Sequence, residues 1–215
     1  MNTGSGEAST SPDAAGGPRR IPTYADVVAA HSRIAGHLHR TPVVTNRHVD
    51  DRADAQVFGK AENLQKVGAF KARGATNAVL ALPDEAHRNG VATHSSGNHG
   101  QALAFAASLV DVPCTVVMPD HAAQVKVDAV REYGAEVRFC RQADREAMLD
   151  SVVAESGATP IHPFDHPDVV AGQGTAAFEL FEDVVDLDVI VAPIGGGGLL
   201  AGTTIVARHH RVPTV

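Results

Sequence analysis

The chain has 215 residues, 44% of them hydrophobic but only 4% aromatic, with no Trp, which suffices for one domain or two small ones. A net charge of −7 leaves no basic footprint and argues against nucleic acid or anionic membrane as partners. No stretch is long and apolar enough to span a bilayer. Cys114 and Cys140 lie in apolar runs, match no zinc or CxxC spacing, and read as buried thiols.

Residues 1–20 are rich in Gly, Ser, Ala, Thr and Pro, without hydrophobic periodicity or an apolar signal-peptide core. They are expected to form a disordered tail on a cytoplasmic protein. Thr23 and Asp26 resemble a capping box and open a helix expected to run to about His37. Thr41-Pro42-Val43 must be extended, because proline disfavours helix in the residue before it. The chain then alternates: strand 57–61, helix 70–82, strand 91–94, helix 100–109, strand 114–118 and helix 122–133. Strand 136–140, helix 144–155, a short strand near 159–161, helix 169–184, strand 189–194 and helix 199–210 follow. Repeated βα units predict an α/β fold, with mostly parallel sheets covered by helices on both faces. Ligands bind such folds in loops at the carboxyl ends of the strands.

Three segments stand out in those loops. Gly195, Gly196, Gly197 and Gly198 follow strand 189–194 and open a helix, beginning at Leu199, whose unpaired N–H groups and positive dipole end suit a phosphate. Gly196, Gly198 and Ala201 also fit the dinucleotide pattern G-x-G-x-x-A, so this loop alone leaves that reading open. Lys71, after Gly68 and beside Phe70, starts a predicted helix, where the dipole lowers an ammonium pKa; the competing reading is an ordinary solvated lysine. Ser95-Ser96-Gly97-Asn98-His99-Gly100 between strand and helix suits either a simple N-cap turn or a clasp for a carboxylate. Ser96 and His99 also raise a hydrolase reading, but no G-x-S-x-G elbow is present.

Taken in order, these motifs resemble the serine/threonine dehydratase (threonine ammonia-lyase) and serine racemase family. These are fold-type II pyridoxal phosphate enzymes, similar to the tryptophan synthase β subunit. The resemblance is carried by Lys60-Ala61-Glu62-Asn63-Leu64-Gln65, by Gly68-Ala69-Phe70-Lys71-Ala72-Arg73-Gly74-Ala75 and by Thr93 through Ala102. His162-Pro163-Phe164-Asp165, Ala171-Gly172-Gln173-Gly174-Thr175 and the glycine loop continue it, from about Ile21 to the last residue. Cysteine and threonine synthases carry an acidic residue after the lysine, where Ala72 stands here.

The resemblance implies that Lys71 holds pyridoxal 5'-phosphate as a Schiff base and removes the Cα proton. It implies that Phe70 lies beside the ring, Asn98 bonds the 3′ hydroxyl, and Gly195 to Gly198 with Leu199 bind the phosphate. Ser95, Ser96, Gly97, Asn98 and His99 would hold the substrate, chiefly its carboxylate. Ser96 would be the acid/base on the opposite face, a role that does not separate dehydratase from racemase. The implied reaction is β-elimination from L-threonine or L-serine to a 2-keto acid and ammonia, with serine racemase or 3-hydroxyaspartate dehydratase as the alternative. Ala69 stands where many members have Ser, but Gly-Ala-Phe-Lys resembles microbial serine racemases and hydroxyaspartate dehydratases.

The implied domains are a partial large domain, 21–88 with 167–215, and a small substrate-loop domain, 89–166. Family members continue past Val215, so the second half of the large domain is expected to be missing. A non-catalytic truncated fragment is therefore the reading from another class. A full-length relative would be a homo-oligomer with a small amino acid as its partner. No metal site is expected: His162 and His166 are i,i+4 but interrupted by prolines, and His209-His210 reads as a solvated helix end. Lys60 and Glu62 read as a structural pair, and residues 183–188 as a solvated turn.

Overall fold

The computed structural model describes residues 20–95 and 97–215. The expectations for residues 1–19 and for Ser96 fall outside these described residues.

Helix α1, Tyr24–Ile34, opens on the expected capping box, in which the Asp26 carboxylate accepts from Thr23 N at 2.7 Å. The Arg20 guanidinium, then the Thr23 amide, holds that carboxyl down to about 2. The helix ends three residues before His37 because Gly36 turns the backbone left-handed at φ 84°. Strand β1, Val43–Thr45, pairs antiparallel with β2, Phe58–Lys60, placing Val43 opposite Lys60. Between them lies α2, Arg47–Ala53, capped by the Asn46 side chain. The sequence pattern missed α2 because it buries none of its residues.

Two 3₁₀ turns, Glu62–Leu64 and Lys66–Gly68, lead into α3, Lys71–Leu80. Every residue from Ala72 to Val79 is buried, since α3 packs between other helices rather than on one face. A short helix α4, Asp84–Asn89, precedes β3, Val91–His94; it too buries nothing and was not expected. The chain then runs through α5, Asn98–Ser108; β4, Cys114–Pro119; α6, Gln124–Glu132; and β5, Glu136–Cys140. After α7, Arg145–Ser156, comes β6, Thr159–Pro160.

These strands form a parallel sheet in the order β5-β4-β3-β6, with Val91 opposite both Cys114 and Thr159. Alternation along the strands covers both faces. Val91, Val116 and Met118 join the α5 cluster, while Ala92 and Val117 join Val152 of α7. Cys114 is buried as expected, but Cys140 at the sheet edge is only half-buried.

Helix α8, Pro167–Asp183, lies against α1 and α3, and α9, Gly198–His210, packs on α8. The approach of α3 to α8 requires glycine: a Cβ on Gly172 would sit 2.6 Å from Arg73 O and 2.7 Å from Gly74 Cα. Filling that contact costs about 1–3 kcal/mol in backbone shift.

The strand expected at 189–194 is reduced to one parallel bridge, Ile190 to Thr214. Among the described residues its backbone bonds run only to residues 213–215, such as Val215 N to Ile190 O at 2.9 Å. Three residues on one side are too short a partner for a full ladder. His209 and His210 are exposed at the helix end, as expected, but their rings also pack: His209 stacks on Tyr24 with centroids 3.6 Å apart, and His210 stacks on Phe181 at 4.4 Å.

Candidate active site

Lys71 is the first residue of α3, with Phe70 at the N-cap position. The turn delivering it holds Val67 at φ 55°, an unusual conformation for a β-branched residue and a sign of a constrained approach. The amine is half-buried; its Nζ donates to Pro163 O at 2.6 Å and lies 5.4 Å from the Phe70 ring centroid. Its pKa is lowered, and burial is the cause. Lys71 is thus not the solvated lysine of the competing reading.

Behind Lys71 lies a buried charge network. Arg73, fully buried, donates to both Glu62 oxygens at 2.8 Å and to Glu179 at 2.7 and 2.9 Å. It also reaches Thr175 and Thr41 hydroxyls at 3.2 and 3.3 Å. Lys60 pairs with Glu179 at 2.8 Å and Asp183 at 3.4 Å and donates to Thr41 O. The expected Lys60–Glu62 pair is therefore corrected: Glu62 pairs with Arg73 on α3, eleven residues on, and Lys60 with Glu179 and Asp183 on α8, far along the chain. Asp183, exposed as expected, is the last residue of the helix at 167–183 and not part of a turn, and it pairs with Arg40 and Lys60. Burial opposes ionisation of Glu179, yet Arg73 and Lys60 outweigh it and lower its pKa. Charges desolvated in this way must be paired and hydrogen-bonded, and these are.

The second segment turns at the end of β3. Ser95 N donates to Val117 O, and Ser95 Oγ accepts from Gly97 N at 3.2 Å. Helix α5 starts at Asn98, two residues earlier than expected, so exposed Asn98 and buried His99 stand in its first turn. The His99 Nε2 lies 3.0 Å from Ile161 O.

The third segment is the glycine loop. Gly197, at φ 90°, caps α9, a conformation that favours glycine. Space is open beside Gly195 and Gly197, where a side chain would project. On the other side Phe164 closes the loop: a Cβ on Gly196 would lie 2.2 Å from the Phe164 ring, and one on Gly198 would lie 3.0 Å from the Phe164 backbone. Leu199 and Phe70 both line a cleft of about 630 Å³, otherwise walled by Val189–Pro193, Ala176, Leu180 and Phe58.

One short stretch, residues 161–164, therefore joins the three segments. Its carbonyls take His99 at Ile161 and Lys71 at Pro163, and its Phe164 ring seats the glycine loop. The sequence offered this stretch only as a motif in order, without roles. Its signal was an aromatic residue between two prolines, just after a strand.

The residues present fit pyridoxal phosphate. A glycine cradle open on one side, at the N-terminus of a 13-residue helix, suits the phosphate. A half-buried amine with lowered pKa suits a carbonyl partner, and Phe70 offers an apolar wall. No group of three or more potential metal ligands occurs among the described residues. No described helix is long and apolar enough to cross a membrane.

Comparison with known proteins agrees. The family described as pyridoxal-phosphate dependent enzyme matches residues 34–215. A β-hydroxyaspartate dehydratase of Paracoccus denitrificans is 51% identical over 187 residues, 86% of this chain and 59% of that protein. A crystal structure of serine racemase from Dictyostelium discoideum superposes with a TM-score of 0.87 at 46% identity, covering 90% of this chain and 64% of that one. A crystal structure of a T.th. threonine deaminase follows at 43% identity and a TM-score of 0.81, covering 88% and 62%. The chain spans about three fifths of the curated relatives' length. It belongs to the pyridoxal-phosphate dependent enzymes, and its fold is that of their fold-type II members.

Proposed function

We propose that this chain, as a member of the pyridoxal-phosphate dependent enzymes, serves an ammonia-lyase whose first substrate is 3-hydroxyaspartate. That reverses the order expected from the sequence: hydroxyaspartate dehydratase and serine racemase now stand ahead of threonine deamination. The observation that carries the reading is the half-buried Lys71 amine, linked through Pro163 and Phe164 to an open glycine cradle.

The cofactor, when bound, supplies the sink for the electrons left as the Cα proton departs. Lys71 takes that proton; its lowered pKa raises the share of neutral amine near neutral pH, which a base requires. The Pro163 carbonyl holds the amine in place whenever it is free. The N–H groups of Gly195 to Gly198 and Leu199 receive the phosphate. Ser95, Gly97 and Asn98, at the start of α5, receive the substrate carboxylate, and Asn98 also serves the ring hydroxyl. Ser96 is proposed as the opposite-face acid or base. Loss of the Cα proton and the β-hydroxyl releases water; hydrolysis of the resulting enamine, after tautomerisation, yields oxaloacetate and ammonia.

A second reading, serine racemase, is favoured by the 46% identical crystal structure. Incubation with L-threo-3-hydroxyaspartate and, separately, with L-serine discriminates between them. Oxaloacetate and ammonia from the first are expected, while D-serine accumulating without keto acid would overturn the lyase reading. Turnover by the 215-residue chain alone would also eliminate the non-catalytic fragment.

A further inference from the structure

We infer that His99 accepts a hydrogen bond from the β-hydroxyl of the substrate and does not bind its carboxylate, so that it selects for the hydroxyl. The inference rests on the β-hydroxy amino acid reading above and adds a role for one side chain.

The argument starts from hydrogen-bond bookkeeping. The His99 Nε2 is 3.0 Å from Ile161 O, and a backbone carbonyl only accepts. Nε2 therefore carries the proton, and in a neutral ring Nδ1 is left as a bare acceptor. The side chain is 3% exposed, and Nδ1 is buried with no partner among the described residues. Burial holds the ring neutral, assisted by the charges of Lys71, His162 and His94, with its pKa down at about 3. A buried acceptor left without a donor is destabilising, so its persistence calls for a donor from outside the chain.

His99 sits in the first turn of α5, directly after Asn98 and close enough to Lys71 to feel its charge. A substrate carboxylate offers only lone pairs, and against Nδ1 it would meet another lone pair. The amino group of such a substrate is committed to the cofactor. What remains in a β-hydroxy amino acid is the hydroxyl, the one donor that Nδ1 can take. Because Nδ1 holds no proton, His99 orients the hydroxyl and does not protonate it as it leaves.

Two experiments test this. Nitrogen-15 imidazole shifts of the 215-residue chain should show His99 as the Nε2–H tautomer from pH 5 to 8; the Nδ1–H tautomer or a charged ring overturns the inference. Dissociation constants for L-serine and L-alanine are then read from changes in cofactor absorbance of the loaded chain. Wild type should prefer serine. His99→Gln keeps a donor for Ile161 O but carries no acceptor at the Nδ1 position, and should cut that preference about tenfold, the equivalent of one hydrogen bond. His99→Asn keeps an acceptor near Nδ1 and should retain more of it. Equal affinity of wild type for both amino acids, or an unchanged ratio in His99→Gln, overturns the role of His99 while leaving the functional reading intact. Failure of the chain to take up pyridoxal phosphate overturns both.

Discussion

The two ends of the site are built by opposite means. Lys71 starts a helix whose next eight residues are all buried and which is pinned to α8 by Arg73, Glu62 and Glu179. The glycine loop instead follows a stretch in which Val191 and Ile194 are 72% and 71% exposed, tied by few backbone bonds to residues 213–215 and covered by Phe164. The lysine end is fixed by packing and paired charge; the phosphate end gains its shape from glycine geometry and one aromatic ring. Substitutions at the first should therefore act on folding, and at the second on ligand affinity.

The largest effect is expected at Arg73. Arg73→Met leaves Glu62 and Glu179 desolvated without their partner, and should destabilise the fold by about 3–5 kcal/mol in urea denaturation. A loss below about 1 kcal/mol would show that the network is not what holds α3. Gly196→Ala should come next, since its methyl must displace the Phe164 ring. Overpacking costs about 1–3 kcal/mol, and pyridoxal phosphate affinity should fall with it. Adding Phe164→Ala should return most of the stability but little of the affinity, and additivity of the two changes would break the assignment of Phe164 as the wall of the cradle.

Gly197→Ala meets open space, so its cost is backbone strain alone, about 1–2 kcal/mol at φ 90°. Thermal melting with and without inorganic phosphate should show a smaller phosphate-induced shift than in wild type. The smallest effect is expected at Asp26, a half-buried member of the α1 capping box. Its folded pKa, about 2, lies below the ordinary 3.8, so its stabilisation is complete above 3.8 and is lost as pH falls through about 2. Because its ion-pair partner Arg20 is exposed, it should contribute less than about 1 kcal/mol. Asp26→Asn should remove that part of the acid dependence in a pH series of melts, and no other.

Much of this was legible in the sequence, and the remainder was not for identifiable reasons. The repeat of short apolar runs and helices located the parallel sheet because β3 and β4 are buried on both faces, and the glycine loop announced itself by its composition. Helices α2 and α4 carried no apolar stripe and so left no period to detect. Segment 189–194 has the composition of a strand, but a strand is defined by its neighbours, and residues 213–215 supply few bonds. Lys60 and Glu62 are close in sequence, which suggested a pair, whereas their partners on α8 and α3 are brought in by tertiary packing. The burial of Lys71, which sets its reactivity, and the Pro163 carbonyl that holds it likewise depend on contacts 92 residues apart in the chain.

The most direct test of the central claim is the covalent fate of Lys71. The 215-residue chain is incubated with pyridoxal phosphate, reduced with borohydride and mapped by peptide mass spectrometry. The account predicts one stable adduct, on Lys71, absent from Lys71→Ala. An adduct confined to other lysines, or none in wild type, would contradict it.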